Sequence, residues 1–269
     1  MSRPGGWQEV GHRVYRRRYR SLDLNVGAVV GDDEVLVVDT RSFAAEAARL
    51  LADLRALTRL PCRQVVNTHA HFDHCFGNAT LRPAGIWGHD RCAAHLRTRA
   101  AQERAHLLRW LPEAAGELEG LELDPPDRTV GAAGADLGVG GRRVELRFLG
   151  RGHTDHDLVV VVPDAGVAFW GDLVEEGAPP VYADDAFPLQ WPATLDRLLA
   201  WAPTVVVPGH GDVVGHGFVR GQRDELAAMA ALCRRVAAGE LPAEEAVRAA
   251  PFPAEVAREA LARSGTPSS

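Results

Sequence analysis

Four side chains able to hold a metal stand close together in Thr68-His69-Ala70-His71-Phe72-Asp73-His74: His69, His71, Asp73 and His74. Imidazole and carboxylate donors together suit zinc, iron or manganese better than calcium or magnesium. A lone histidine is more often a satisfied core or surface residue than a ligand, but packing alone gives no reason to cluster them this densely. Three further donors sit at strand ends. His153 precedes an apolar strand at 158–162, Asp172 follows the returning strand at 167–170, and His210 follows a strand at 204–207 in Val207-Pro208-Gly209-His210-Gly211. The hairpin between the first two strands brings His153 and Asp172 to one sheet edge. Loops at strand ends are where α/β proteins place their sites. Seven donors exceed one tetrahedral zinc and suit two ions. One would take His69, His71 and His153, the other Asp73, His74 and His210, with Asp172 between them.

The elements that must position these residues are legible in the pattern. Val14, Arg16 and Arg18, then Leu22, Leu24 and Val26, alternate as a strand pair, and Glu34–Asp39 reads as a third strand. The arginines at 16–18 read as a solvated strand face. Ala and Leu at helical spacing over Ser42–Leu57 predict a helix with Ser42 as N-cap. Arg63–Asn67 is a short buried strand running into the histidine cluster, and Ile86–Gly88 is another. A helix should start on Asp90 as N-cap and stop before Pro112. After a connection at 112–127, Gly140-Gly141 turns a hairpin between Ala135–Val139 and Arg142–Leu149. Next come the strands at 158–162 and 167–170, a helix near 193–202 and the strand at 204–207. From Phe218 the tail is helical, broken at Pro242, Pro251 and Pro253, and its last residues, SGTPSS, should fray. Strands feeding helices on both sides predict helices covering both faces of packed sheets.

At this point the chain resembles the metallo-β-lactamase-fold superfamily. The resemblance rests on T-H-A-H-F-D-H at 68–74, G-N at 77–78, G-H-T at 152–154, G-D at 171–172 and P-G-H-G at 208–211. It implies an α/β fold, an αβ/βα four-layer sandwich, and the metal assignment above. It also implies that Asp39, ending the third strand, supports the metal loop. A metal-binding hydrolase domain over 1–216 and a helical C-terminal extension over 217–269, packed on the same domain, are expected. Lactamases of the Cys-ligand type carry Cys where this chain has Asp172, so the ligand set looks more like glyoxalase II and lactonases. The Gly-Cys-Gly-Arg-type segment usual after that Asp in glyoxalase II is absent here, where Leu173-Val174-Glu175-Glu176 follows.

The expected activity is a binuclear metal-dependent hydrolase with two Zn²⁺, or Fe or Mn. It would use a metal-bound hydroxide on a carboxylic ester, thioester, lactone or related small-molecule substrate. Asp73, itself a ligand, would orient the water or pass on its proton. The alternative is a mononuclear iron dioxygenase for a sulfur substrate, with His69, His153 and Asp172 as ligands. The segment 173–191 offers Tyr182, Phe187 and Trp191 as walls for substrate and four carboxylates to repel anions. His156 and His216 lie near ligand loops and could touch substrate, although supporting or solvated roles are the plainer reading. His12, His89, His95 and His106 have no cluster partner in the sequence.

Composition narrows the field. The 269 residues carry a formal charge of -6, which disfavours nucleic acid or an anionic membrane as partner. All 30 basic residues are arginine, removing Schiff-base chemistry on lysine. The N-terminal segment has no apolar stretch of the signal-peptide kind, and no run reaches the length of a membrane span. Cys62, Cys75, Cys92 and Cys233 show no paired spacing, so a reducing cytoplasm is expected. Neither a GxGxxG loop between strand and helix nor a GxSxG nucleophile elbow is present. Oligomeric state and substrate identity are not encoded in any motif.

Overall fold

The computed structural model describes residues 4–201 and 203–264. The first sheet comprises β1 (Gln8–Gly11), β2 (Val14–Arg18), β3 (Asn25–Val30), β4 (Val35–Val38), β5 (Cys62–Val66), β6 (Gly85–His89) and β7 (Arg128–Val130), side by side in chain order. It is antiparallel through β4 and parallel from there on. α1 (Ala44–Leu57) makes the crossover from β4 to β5. The turn α2 (Phe72–Cys75), α3 (Asp90–Trp110) and α4 (Ala115–Leu118) fill the later connections.

The second sheet contains β8 (Ala135–Val139), β9 (Arg142–Phe148), β10 (Leu158–Val162), β11 (Val167–Glu175) and β12 (Val205–His210), in the spatial order β12-β11-β10-β9-β8. α5 (Trp191–Leu199) links β11 to its parallel neighbour β12. α6 (His216–Ala237), α7 (Ala243–Ala249) and α8 (Ala254–Ser264) follow. No helix of the described residues is long and apolar enough to cross a membrane.

Strand periodicity explains the layering. Along β4, Leu36 and Val38 join the core between the sheets, while Val35 and Val37 pack under α1 with Ala47, Leu50 and Leu54. Successive side chains point to opposite faces, and both faces are covered, so the strand reads as a continuous apolar run. The second sheet repeats the arrangement. Leu158, Val160 and Phe169 face the first sheet, whereas Val159, Ala168 and Trp170 pack with Leu195 of α5 and Leu226 and Met229 of α6. The result is the αβ/βα sandwich, with α6–α8 sharing the outer core of the second sheet.

Several local expectations are corrected. Leu22 lies in a tight turn with φ 58°, not in a strand, and β1 adds an edge that the pattern did not show. α1 begins at Ala44 after Phe43, and Ser42 caps nothing; its N–H donates to Glu46 instead. α3 is capped by His89, whose Nδ1 accepts the Arg91 N–H, rather than by Asp90. β11 runs on to Glu175, so Asp172 lies inside the strand. Arg16 is not solvated: it is buried and donates to Gln8, Asn25, the Gly211 carbonyl and Asp212. Of the stretch expected to fray, Ser264 is the last residue of α8, and the rest lies outside the described residues.

Candidate metal centre

The seven donors come from both sheets and meet at one end of the sandwich. His69 and His71 sit in the bent loop after β5, and the helical turn α2 then carries Asp73 and His74. His153 lies in the β9–β10 loop, drawn in by the Leu158 N–H donating to the Thr68 carbonyl at 2.7 Å. Asp172 is in β11, and His210 ends the neighbouring β12. Gly209 is required by close approach: a Cβ there would stand 1.8 Å from Asp172 Oδ1.

His69, His71, His153 and Asp172 offer donor atoms all within 4.8 Å of one another, and Asp73, His74 and His210 do the same. Asp172 touches both groups. Its Oδ2 is 3.7 Å from His69 Nε2, 3.8 Å from His153 Nε2 and 3.4 Å from His210 Nε2, and its Oδ1 is 3.2 Å from His74 Nε2. Asp73 Oδ2 is 3.5 Å from His74 Nε2 and 3.4 Å from His210 Nε2. The seven predicted ligands are therefore brought together in the two expected groups.

The far side of each imidazole fixes what the near side presents. His74 Nδ1 faces Asp39 Oδ2 at 2.8 Å, and His210 Nδ1 faces the Leu22 carbonyl at 2.7 Å. His71 Nε2 faces Asp185 at 3.2 Å, and His153 Nδ1 faces Asp157 at 3.4 Å. His69 Nδ1 meets the Thr68 hydroxyl at 3.0 Å, and that hydroxyl donates onward to Asp39. Assigning tautomers from these acceptors leaves the other nitrogen of each ring as a lone pair aimed inward. His74 Nε2 and His210 Nε2 then confront one another at 3.3 Å. His69 Nε2, His153 Nε2 and Asp172 Oδ1 are buried without a hydrogen-bond partner. Converging lone pairs and carboxylate oxygens repel unless a cation lies among them, so the donor set fits transition-metal ions.

Protons are the alternative cation, and the electrostatics show where they would go. Burial opposes charge on His71, but Asp185 outweighs it and pushes the pKa up to about 9. Burial likewise opposes charge on His210, and Asp172 more than compensates, raising it to about 10. His74 is raised well above its ordinary value against its burial, chiefly by Asp172. His69 is driven down by burial and by His74 beside it. Asp172 is also buried, yet His74 and the other histidines hold its carboxyl well below the usual range.

The expected support by Asp39 has a geometric basis. It is 2% exposed and accepts the Thr68 N–H and the Thr68 hydroxyl as well as facing His74. Sequence reasoning missed Asp185 and Asp157 as histidine partners; both depend on loop paths that no local pattern encodes. Only the four-residue spacing of His153 and Asp157 was visible in the chain. Glu175, expected among the loop carboxylates that repel anions, instead ends β11 as a buried carboxyl pushed up to about 8 by desolvation and by Asp172.

The loop after β11 differs from expectation. Tyr182 and Trp191 are buried against each other, with Trp191 beside His153, so neither is an open substrate wall. The loop carboxylates are engaged internally, Asp185 with His71, Asp184 with Arg263 and Glu176 with the Asp212 N–H. His216 bonds the Pro203 carbonyl, and His156 accepts the Ala70 N–H.

A family model described as "Metallo-beta-lactamase superfamily" matches residues 22–219. Among curated proteins, a "Metallo-beta-lactamase type 2" of Bacillus cereus is 27% identical over 159 residues, 58% of this chain and 54% of that protein. "Metallo-beta-lactamase IND-1" of Chryseobacterium indologenes is 35% identical over 85 residues, 30% of this chain and 36% of that protein. The chain spans about half the length of the Bacillus relatives it matches. A solved "Metallo-beta-lactamase from Pontibacter korlensis" shares the fold with TM-score 0.68 and 21% identity, covering 82% of this chain and 98% of that one.

Proposed function

Since the chain belongs to the metallo-beta-lactamase superfamily, we propose that it is a hydrolase holding two metal ions, zinc by the chemistry of its donors. The carrying observation is the set of inward lone pairs, above all His74 Nε2 and His210 Nε2 at 3.3 Å. His69, His71 and His153 would hold one ion, Asp73, His74 and His210 the other, and Asp172 would reach both. When bound, such a pair supplies hydroxide near neutral pH and polarises a carbonyl. The protein's part is orientation. Asp39, Thr68, Asp157, Asp185 and the Leu22 carbonyl fix five rings, so little reorganisation remains when a substrate enters. Asp73, whose Oδ2 lies near both His74 and His210, would orient the water or take its proton and pass it to the leaving atom.

The substrate class that fits is a carboxylic ester, thioester or lactone. A carboxylate at position 172, in place of the Cys of Cys-ligand lactamases, would reach both ions and suits a carbonyl with a good leaving oxygen or sulfur. The similarity to proteins named as metallo-beta-lactamases supports a second reading, β-lactam hydrolysis. A third, a mononuclear iron dioxygenase, would use His69, His153 and Asp172, which fall in one group. A panel of ester, thioester, lactone and β-lactam substrates, run beside elemental analysis of gently purified protein, tests all three. Ester, thioester or lactone turnover with close to two zinc-type ions is the expected result. Efficient β-lactam turnover without ester or lactone activity would overturn the substrate class, and one tight iron with oxygen uptake would overturn the hydrolase.

A further inference from the structure

We propose that His95, His156 and Asp185 form a separate site for a divalent transition-metal ion, beside the catalytic pair and independent of its reading. The three come from different elements: α3, the loop before β10 and the loop after β11. Their donor atoms all lie within 4.8 Å of one another. Three donors held by one zinc at about 2.0–2.2 Å stand about 3.3–3.8 Å from one another, so closing the difference takes movement on the order of 1 Å shared among three side chains.

The surroundings repeat the pattern of a metal-binding histidine. One nitrogen of each ring already meets a carboxylate: His95 Nε2 faces Glu103 at 2.8 Å, and His156 Nδ1 faces Asp155 at 2.8 Å. Such partners fix the tautomer and leave the remaining nitrogen as donor. The Asp185 carboxylate binds His71 through Oδ1, while its Oδ2 is buried with no partner. An unmatched buried carboxylate oxygen is costly, and a cation satisfies it. A cavity of about 350 Å³ lined by His95, Asp155 and Asp185 gives an ion a way in. Two arginines on that cavity are engaged: Arg263 pairs with Asp184, and Arg91 donates to the Asp155 carbonyl.

Filling this site has a consequence for its neighbour. His156 Nε2 accepts the Ala70 N–H at 3.2 Å, and Ala70 lies between His69 and His71. An ion on His156 competes with that bond, and the same ion shares Asp185 with His71. Excess metal should therefore depress turnover by loosening the His69–His71 segment.

The test loads metal-free protein with Zn²⁺, removes free ion by gel filtration, and counts zinc per chain in wild type, His95→Gln and His156→Gln. Circular dichroism confirms folding, and Glu103→Gln serves as a milder variant should either substitution unfold the chain. The expected result is about three ions in wild type and about two in each histidine variant, given one ion per donor group. A wild-type total of about two that falls to about one in both variants also supports this site, and removes one ion from the proposed pair. A total unchanged by both substitutions overturns this site and leaves the pair standing.

Discussion

Replacing Asp39 by Asn tests whether the metal centre depends on a proton held outside it. The backbone at Asp39 is left-handed, φ 66°, a conformation that Asn adopts at least as readily as Asp, so the main chain should survive. The side chain keeps its shape and loses an acceptor. Asp39 Oδ1 takes the Thr68 N–H, while Oδ2 takes the Thr68 hydroxyl and faces His74 Nδ1, all at 2.8 Å. With Asn, keeping the first bond puts the amide NH₂ opposite two donors. His74 can relieve the clash only by moving its proton to Nε2, the atom that faces His210 and Asp172. The inward lone pair is then gone. Losing a charge-assisted hydrogen bond costs about 1.5–3 kcal/mol, and re-pairing through the switched tautomer recovers part of it. A net loss of about 1.4–2.7 kcal/mol corresponds to a 10–100-fold weaker metal affinity, the range typical for such partners. Competition against a chromophoric chelator, followed one equivalent at a time, measures it. The weaker step should be the ion on Asp73, His74 and His210, and Asp39→Ala should weaken it at least as much. Wild-type affinity at both steps in a folded Asp39→Asn protein would refute the tautomer argument.

Four other outcomes follow from the same geometry. Asp172→Asn should lower kcat more than it raises KM, because this carboxylate lies between the two donor groups; unchanged kcat in a folded variant would remove that role. Gly209→Ala should fold yet lose metal, since its new Cβ occupies the space of Asp172 Oδ1, which metal content and melting temperature read separately. Metal affinity should rise with pH toward about 9 to 10, because His71 and His210, raised to those values, hold protons at neutrality that an entering ion must expel. Calorimetry in buffers of different ionisation enthalpy reads that release, and none at pH 7 would contradict the assignment. In the metal-free protein these charged histidines stabilise the fold fully below their ordinary pKa of 6.5, so its melting temperature should drop as pH climbs from there to about 9 to 10.

What the chain discloses by itself depends on how far apart the interacting residues are. The histidine cluster at 69–74 is legible because donor chemistry is concentrated within one loop. His153, Asp172 and His210 are legible because apolar runs mark the strands that end near them. The layered fold is readable from β4, β10 and β11, whose unbroken apolar character requires cover on both faces. Arg16 was misread because its acceptors at 211 and 212 are far along the chain, and an alternating charge looks the same whether solvated or buried in a pair. Asp185 was read as surface repulsion for the same reason: its partner His71 is reached only through the path of a long loop. Caps at His89 and Phe43 were displaced by one residue, which propensity alone cannot resolve.

The way the donors are divided between the sheets has a mechanical meaning. The 69–74 segment hangs from the first sheet, while His153, Asp172 and His210 belong to the second. Polar ties at this seam include Asn25 and Arg16 of the first sheet, which clasp the carbonyls of Pro208 and Gly211 flanking His210. An ion held across that seam would act as a rivet between two halves whose shared centre is a core of apolar side chains. Rigidity and catalysis would then share one fastening. Chelation should free the two sheets to breathe, and amide exchange should quicken first in β12 and at the Asn25 end of β3, ahead of strands remote from the site.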